Sequence, residues 1–148
     1  MSETPASTEP ATIMVVAAAL IAPDGRVCMH RRPADKAHGD LWEFPGGKVE
    51  EGEALRQALA REIAEELGVI LDPAAFVPAG FADSPAPAGG RSIAILLYAC
   101  TAWEGEVRCL EGGGVDWFAP SAIPALAMPP LDYPLAQSLL QLLAAGAI

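Results

Sequence analysis

The segment that decides the fold runs from Gly47 to Val69 and reads GKVEEGEALRQALAREIAEELGV. Its second half has the spacing of an amphipathic helix, because apolar residues recur every four positions at Leu55, Leu59, Ile63 and Leu67. Gly68 follows directly, and glycine is the residue most typical of a helix C-terminus. We therefore predict a helix from Glu53 to Leu67.

Three carboxylates, Glu62, Glu65 and Glu66, stand at positions i, i+3 and i+4 of this helix. Such spacing places side chains on neighbouring turns of one face, where like charges repel. At about 100° per residue, Glu66 falls within the apolar stripe and Glu62 at its edge. A carboxylate that points toward the core costs several kcal/mol unless it is paired or bound to a metal. The pattern predicts a divalent cation, and oxygen ligands favour Mg²⁺, one of whose waters could serve as a nucleophile.

A plainer interpretation is a solvated acidic helix whose glutamates pair with Arg56 and Arg61. Most glutamate-rich helices are of this kind. It does not explain why Glu66 lies within the apolar stripe.

The charge and length of the chain exclude several functions. The 148 residues suit one domain, and the net charge of −10 argues against polymeric nucleic acid, which requires a basic face. A small anionic ligand is compatible with this charge if cations or a few arginines offset the repulsion. Sequence alone leaves a monomer and a homodimer equally open.

The ends and the cysteines bear on location. Residues 1–11 are predicted to be a disordered polar leader without the features of a secretory signal, and residues 12–148 to be the single domain. The longest apolar run, Ile13 to Ala22, is too short to span a bilayer. Cys28, Cys100 and Cys109 show neither CxxC spacing nor an even disulfide framework, so we expect a reducing cytoplasm.

The remaining elements predict an α/β protein. Thr12–Ile21 and Arg26–His30 are strand-like and flank Asp24-Gly25, a strong hairpin signal. The segment Ser84–Gly90, rich in Pro, Ala and Gly, is predicted to be a mobile loop. Further strands are predicted at Leu41–Phe44, Val77–Asp83, Ser92–Trp103 and Val115–Phe118, and a tail helix at Leu131–Ala145. This order indicates a mixed sheet between helices, in an α/β/α sandwich.

The deciding segment resembles the Nudix box, Gly-x5-Glu-x7-Arg-Glu-U-x-Glu-Glu-x-Gly-U, in which U is aliphatic, and every specified position is filled. Three flanking stretches resemble the MutT-type subgroup, which sanitises nucleotide pools. They are LWEFPGGKVE at residues 41–50, the run from Trp103 through Glu111 to Trp117, and PPLDYP at residues 129–134.

The resemblance implies a set of site residues. Glu62, Glu65 and Glu66, with the Gly46 carbonyl, would bind the catalytic cations, and Glu111 would add a ligand from a later loop. Alternatively, Glu111 is simply an exposed loop residue. Arg61 would orient a carboxylate of the box, or form only a surface ion pair.

Two further assignments stay open within the box. Glu53, expected in the first helical turn, could support the metal site, act as general base in place of Glu62, or only favour the helix N-terminus. Gly46 and Gly47 would let the backbone approach the metal, or form an ordinary turn before the helix.

Residues outside the box are implied to contact substrate. Arg32 matches a nucleotide-facing position of MutT-type enzymes, although Arg31 and Arg32 could also be a solvated pair. Arg91 resembles another ligand-side arginine. Trp42 or Phe44 could stack on a base, but aromatic residues in strands more often fill the core.

Asp132 occupies the base-recognition segment and bears on specificity. MutT-type enzymes that bind 8-oxoguanine present Asn there, whereas relatives that act on cytosine nucleotides present Asp. An ionised carboxylate accepts a hydrogen bond from the cytosine amine, and a protonated one could donate instead. Asp132 could also be merely the N-cap of the tail helix.

The resemblance thus implies Mg²⁺-dependent hydrolysis of a nucleoside triphosphate to the monophosphate and pyrophosphate, with Mn²⁺ as a substitute metal. We expect 8-oxo-dGTP as substrate, with CTP, dCTP or 5-methyl-dCTP as the alternative. ADP-ribose or dinucleoside polyphosphates are disfavoured by the MutT-like flanks. A catalytically idle nucleotide-binding domain is disfavoured by the intact glutamates, and a plain interaction module by the complete box.

Overall fold

The computed structural model describes residues 11–86 and 90–148. The predicted leader therefore lies almost wholly outside the described residues, as does the centre of the predicted loop Ser84–Gly90. Within the described ranges the strands are β1 (Ile13–Leu20), β2 (Val27–Arg31), β3 (Trp42–Glu43), β4 (Gly46–Lys48), β5 (Ile70–Leu71), β6 (Val77–Ser84), β7 (Ile93–Cys100), β8 (Trp103–Glu104) and β9 (Gly114–Phe118). The α-helices are α1 (Leu55–Leu67) and α2 (Asp132–Ala144), and Pro73–Ala75 and Pro120–Ala125 form short 3-10 helices.

The central sheet is mixed and has the strand order β4-β1-β7-β6. Strand β1 runs parallel to β7 and antiparallel to β4. Its alternate side chains face opposite ways, as the pleat requires. Val16, Ala18 and Leu20 pack in the cluster that contains α1, whereas Ala17 and Ala19 pack in the cluster that contains α2. The predicted α/β/α sandwich is therefore confirmed.

The predicted hairpin between β1 and β2 is wrong beyond its turn. The turn forms at Asp24-Gly25, where Gly25 has φ +88°, but the strands share only the single bridge between Ile21 and Val27. Both edges of β1 are occupied by β4 and β7, so β2 pairs instead with β3 and β9 in a second sheet. Strands β5 and β8 form a third, two-stranded sheet.

Three element boundaries also differ from the sequence prediction. Helix α1 begins at Leu55, so Glu53 precedes the helix rather than lying in its first turn, while Gly68 ends it at φ +72° as predicted. The predicted strand Ser92–Trp103 is divided into β7 and β8, because β8 leaves the central sheet to pair with β5. The tail helix begins at Asp132.

Among the described residues no helix is long and apolar enough to cross a membrane. All three cysteines are free thiols; Cys28 and Cys100 are buried, and Cys109 is exposed.

Candidate active site

Strand β4 brings two glycines against the carboxylates of α1. A side chain on Gly46 would overlap the backbone of Val16 and Ala17, and one on Gly47 would overlap the carboxylate of Glu62. Gly46 therefore requires glycine for reasons of space, whereas a side chain on Gly47 would displace the Glu62 carboxylate. The interpretation of Gly46-Gly47 as an ordinary turn is incomplete, because these residues form a strand that α1 packs against directly.

Arg61 gathers the carboxylates of the predicted cluster. Its guanidinium binds both oxygens of Glu53, at 2.7 and 2.9 Å, and one oxygen of Glu62 at 3.0 Å. Glu65 lies at 3.5 Å from the same group. This pairing lowers the pKa of Glu53 to about 2, which makes Glu53 a weak base.

Arg56 does not join this cluster. It donates hydrogen bonds to the carbonyls of Pro73 and Phe76, at 2.9 and 3.2 Å, and lies over the ring of Tyr98. The solvated-helix interpretation is therefore wrong in pairing Arg56 with the glutamates.

Glu66 is the most buried of the three glutamates in the cluster. Burial raises its pKa to about 8, and Glu62 and Glu43 add to this shift while His30 opposes it. Its Oε2 accepts a hydrogen bond from the Gly46 amide at 3.2 Å. Burial also raises the pKa of Glu62, against the opposing effect of Arg61. A bound cation would reduce both the repulsion between these carboxylates and the free-energy cost of burying their charge, so the arrangement favours cation binding.

The loop between β8 and β9 places Glu111 beside this cluster. The negative charge of Glu111 contributes to raising the pKa of Glu62. The backbone carbonyl of Glu111 accepts a hydrogen bond of 2.6 Å from His30 Nε2. Glu111 is thus exposed, as its plainer interpretation required, yet it lies within electrostatic reach of the box.

A cavity of about 230 Å³ opens beside the glycine strand. Asp132 lies in its wall and is 5% exposed. Its Oδ1 accepts a hydrogen bond from the Phe44 amide at 3.2 Å, and burial raises the pKa of Asp132 to about 7. Other lining residues are Val15, Val16, Ala17, Arg32, Glu43, Phe44, Gly46, Gly47, Lys48 and Ile95.

Asp132 is not the helix N-cap. That position is Leu131, which makes no side-chain capping bond, and Asp132 is the first residue inside α2. Its carboxylate points instead to the amide of Phe44, which lies between β3 and β4 and is 88 residues away in sequence.

A NUDIX domain model matches residues 11–139 of this sequence. The chain belongs to the Nudix family. Because the match spans most of the chain and the relatives are named as diphosphatase and pyrophosphohydrolase, this Nudix protein is a hydrolase that acts on phosphoric anhydrides.

Curated relatives and a solved structure agree with this assignment. The CTP pyrophosphohydrolase of Escherichia coli (strain K12) is 35% identical over 130 residues, 88% of this chain and 93% of that protein. The 8-oxo-dGTP diphosphatase of the same strain is 32% identical over 119 residues, 80% of this chain and 89% of that protein. The solution structure of the E. coli ORF135 protein superimposes with a TM-score of 0.81 at 31% identity, covering 96% of this chain and 97% of that one.

The donor set of this Nudix site fits a hard divalent cation in its chemistry. All the predicted ligands offer oxygen, which Mg²⁺ and Mn²⁺ prefer, and Nudix hydrolases generally use divalent metal ions. In residues 11–86 and 90–148, however, no three His, Cys, Asp or Glu side chains already converge on one metal position. Arg61 holds Glu62 and Glu65, so these two carboxylates would have to rotate to share an ion with Glu66.

The substrate-side predictions divide between two places. Arg32 lines the cavity and donates to Glu43 at 2.8 Å, so it is not a solvated charge. Arg91 lies in a different groove with Thr12, Lys48 and Glu50, and donates to the Ala11 carbonyl at 2.6 Å. Arg91 thus lines a groove other than the one that Asp132 lines, although Lys48 borders both.

The two aromatic candidates differ in the same way. Trp42 packs edge to face on Phe118, with ring centroids 5.2 Å apart, and does not line the cavity. Phe44 lines the cavity but is only 3% exposed, so it serves mainly the core.

The sequence interpretation missed two members of this site, His30 and Glu43. His30 is 4% exposed on a strand of otherwise apolar buried residues, and Glu43 receives Arg32. The signal for His30 was present: a polar residue in an apolar strand requires a partner. That partner, the Glu111 carbonyl, could not be recognised from sequence spacing.

Proposed function

We propose that this Nudix hydrolase converts a nucleoside triphosphate to the monophosphate and pyrophosphate, with 8-oxo-dGTP as its main substrate. The observation that carries the proposal is a cavity lined on one side by the glycine strand and on the other by buried Asp132. The same glycine strand contacts the carboxylates of Glu62 and Glu66. The volume, about 230 Å³, is below that of a pocket for a whole drug-sized ligand. It suits a nucleobase, with the triphosphate outside over the glutamates.

The phosphate end of the proposal depends on the α1 cluster. Glu62, Glu65, Glu66, the Gly46 carbonyl and Glu111 would hold the divalent cation, Mg²⁺ or in its place Mn²⁺. When bound, the cation would offset the repulsion between these carboxylates and the triphosphate and stabilise the charge that develops during hydrolysis. Lys48 and Arg32 add the positive charges that line the same cavity.

Hydrolysis requires a base that accepts a proton from the attacking water. Glu53 is poorly suited, because Arg61 holds both of its oxygens and lowers its pKa to about 2, so we assign this role to Glu62. In the proposed step, water oxygen bonds to an internal phosphorus of the triphosphate, its proton passes to Glu62, and the bond to the leaving phosphate oxygen breaks. Glu53 then acts by holding Arg61, and Arg61 by orienting Glu62 and Glu65.

The base end depends on the protonation state of Asp132. A neutral carboxyl can donate to the O6 of 8-oxoguanine and accept from its N7–H, the two roles that an Asn amide fills. Burial raises the pKa of Asp132 to about 7, so the neutral form is accessible near neutral pH. Oδ1 accepts from the Phe44 amide with one lone pair and keeps a second for N7–H, while Oδ2 would carry the proton that is donated to O6.

Cytosine nucleotides are the second candidate. An ionised Asp132 would accept from the exocyclic amine of cytosine, and the relative named CTP pyrophosphohydrolase is matched over 93% of its length. The two candidates predict opposite effects of pH, because 8-oxoguanine needs the neutral carboxyl and cytosine is served by the ionised one.

The test is a panel of 8-oxo-dGTP, dGTP, CTP, dCTP, 5-methyl-dCTP and ADP-ribose, compared by kcat/KM with Mg²⁺, Mn²⁺ and after chelation. The proposal expects release of pyrophosphate, 8-oxo-dGTP at the head of the panel, and no turnover without metal. Cytosine nucleotides at the head would establish the second candidate. Turnover that survives thorough chelation, or no turnover of any nucleotide, would overturn the proposed function.

A further inference from the structure

His30 is a buried polar residue for which the proposed reaction gives no role. In the described part of the chain the buried polar or charged residues are His30, 4% exposed, and Asp132. His30 lies in the middle of a three-stranded sheet, opposite Glu43 of β3 on one side and Val115 of β9 on the other. A buried imidazole of this kind requires hydrogen-bond partners to offset its desolvation.

One ring nitrogen is bound to the Glu111 loop. His30 Nε2 lies 2.6 Å from the Glu111 carbonyl oxygen, across 81 residues of sequence. A carbonyl can only accept, so Nε2 carries a hydrogen and donates it. Gly112 sits so close to the ring that a side chain there would overlap it, and its φ of +99° is itself favourable only to glycine. The peptide between Glu111 and Gly112 therefore packs directly against the imidazole of His30.

The other ring nitrogen faces Glu43, a residue that lines the substrate cavity. Nδ1 is buried and has no hydrogen-bond partner among the described residues; it lies 3.8 Å from Glu43 Oε1. The second oxygen of Glu43 is bound by Arg32 at 2.8 Å. His30 thus stands between the Arg32–Glu43 pair in the cavity wall and the backbone of Glu111.

Other hydrogen bonds hold the loop on either side of Glu111, and the bond from His30 holds the Glu111 peptide itself. The loop is tied to the end of α1 by amides of Arg108 and Leu110, which donate to the carbonyls of Leu67 and Glu66 at 2.9 and 2.8 Å. Those bonds end before Glu111, and the next one is donated by the Gly113 amide to the Arg31 carbonyl at 2.9 Å. The side chain of Glu111 itself is exposed. Among residues 11–86 and 90–148, the only other donor to the Glu111 carbonyl is the thiol of Cys109, at 3.2 Å, and a thiol is a weak donor.

We propose that His30 is a positioning residue, whose Nε2–H bond fixes the Glu111 peptide so that the Glu111 carboxylate faces Glu62 and the rest of the cluster. This inference rests on the metal role proposed for Glu111. Groups that orient a metal ligand from behind commonly change metal affinity by about 10–100-fold when removed. His30 would act on cation affinity rather than on the nucleobase.

The test uses two amides that differ by one methylene. In His30→Gln the side-chain nitrogen reaches about as far as Nε2 and can still donate to the Glu111 carbonyl, whereas in His30→Asn it falls short. His38→Gln is the matched control, since His38 is exposed and is the other histidine of the chain. Loop order is read by amide hydrogen exchange over residues 109–114 in metal-free protein, and cation affinity by Mn²⁺ titration followed by electron paramagnetic resonance. Melting curves establish that each variant is folded, and His30→Leu replaces His30→Asn if the latter is not.

We expect His30→Asn to raise loop exchange and to weaken Mn²⁺ binding by about 10-fold, while His30→Gln and His38→Gln stay within about threefold of wild type. In a Glu111→Gln background, His30→Asn should produce no further loss of affinity, because the two residues act through one contact. Unchanged loop exchange in His30→Asn, an equal loss in the Glu111→Gln background, or unchanged Mn²⁺ affinity in Glu111→Gln alone would each overturn the inference. None of these readouts uses a nucleotide, so a failed substrate panel with an intact binding cycle would remove the proposed substrate and leave the role of His30 standing.

Discussion

Arg61 holds both carboxylate oxygens of Glu53, with Nε to Oε2 at 2.7 Å and Nη2 to Oε1 at 2.9 Å. The same guanidinium contacts Glu62 at 3.0 Å. Glu53 lies before the helix, so a loop residue fixes the guanidinium of Arg61. Arg61 in turn orients the carboxylates on the helix. The spacing of eight residues between Glu53 and Arg61 has a structural consequence, because the first turns of α1 bring Arg61 back to Glu53.

The first prediction concerns Glu53→Gln. The amide can accept only one bond from Arg61 and carries no charge, so Arg61 should become free to turn away from Glu62. We expect kcat/KM to fall by about 10–100-fold, as for other groups that orient metal ligands. Glu51→Gln is the control, since Glu51 is an exposed neighbour in the same turn. A kcat/KM equal to wild type in Glu53→Gln would show that this ion pair has no part in catalysis.

The same pair predicts a dependence of stability on pH. Since Arg61 depresses the pKa of Glu53, the ionised carboxylate stabilises the folded protein at pH values above its ordinary pKa of 4.5, and this stabilisation is lost as the pH falls toward about 2. The difference in melting temperature between wild type and Glu53→Gln should therefore be constant above pH 4.5 and shrink below it. Differential scanning calorimetry over that interval measures it.

Glu66→Gln should change the stability of the metal-free protein and the stabilisation by Mg²⁺ in opposite directions. Burial disfavours the Glu66 anion, so a neutral amide of the same shape is expected to raise the melting temperature of the metal-free protein. The variant should lose most of the stabilisation that Mg²⁺ gives to wild type, and kcat should fall at least about 100-fold, beyond the usual effect of a group behind the ligands. Thermal melts with Mg²⁺ and with chelator give both quantities. Equal stabilisation of the two proteins by Mg²⁺ would exclude Glu66 as a ligand.

Asp132 predicts opposite pH profiles for the two candidate substrates. Its pKa is raised to about 7, so wild type should lose kcat/KM for 8-oxo-dGTP as the pH rises through 7, by about 10-fold for one lost hydrogen bond at the base. Asp132→Asn keeps a donor at every pH and should give a flat profile. A rise of kcat/KM with pH for cytosine nucleotides in wild type would instead identify the ionised carboxylate as the working form.

Asp132 should also make stability depend on pH, but in the direction opposite to Glu53: its contribution is lost as the pH rises. Because burial raises the pKa of Asp132, the neutral carboxyl favours the folded state, and that advantage is lost as the pH rises from 3.8 to about 7. Asp132→Asn should thus be more stable than wild type above pH 7, by about 1–4 kcal/mol, since each pKa unit is worth about 1.4 kcal/mol. The Asn oxygen can still accept from the Phe44 amide. Urea unfolding at several pH values measures the difference.

Gly47→Ala tests whether the backbone must approach Glu62. The added methyl would overlap the Glu62 carboxylate, so we expect that side chain to be displaced and kcat to fall by about 100-fold while the fold persists. Gly52→Ala is the control: Gly52 has φ +77° but open space around its Cα, so alanine should cost only about 1 kcal/mol of backbone strain. If both variants lose the same activity, crowding of Glu62 is not the cause.

Much of the site could be predicted from sequence because it is local. Spacing along one helix places Glu62, Glu65 and Glu66 on neighbouring turns, and Gly68 ends that helix in the left-handed conformation as expected. The same periodicity led to Glu66 being predicted as buried, and burial is what raises its pKa. These features depend on residues within about two turns of each other, where helix geometry alone relates sequence to position.

Other features were decided only by the tertiary structure. Whether β2 pairs with β1 depends on which edges of β1 remain free, and β4 and β7 occupy both. The bonds from Phe44 to Asp132 and from His30 to Glu111 join residues 88 and 81 positions apart, and Arg91 is separated from the cavity despite its resemblance to a ligand-side residue. Sequence by itself determined the helix and its row of carboxylates, because local spacing dictates them. The structure determined which distant groups meet those carboxylates, because long-range contacts follow from how strands and loops pack rather than from the pattern in any one segment.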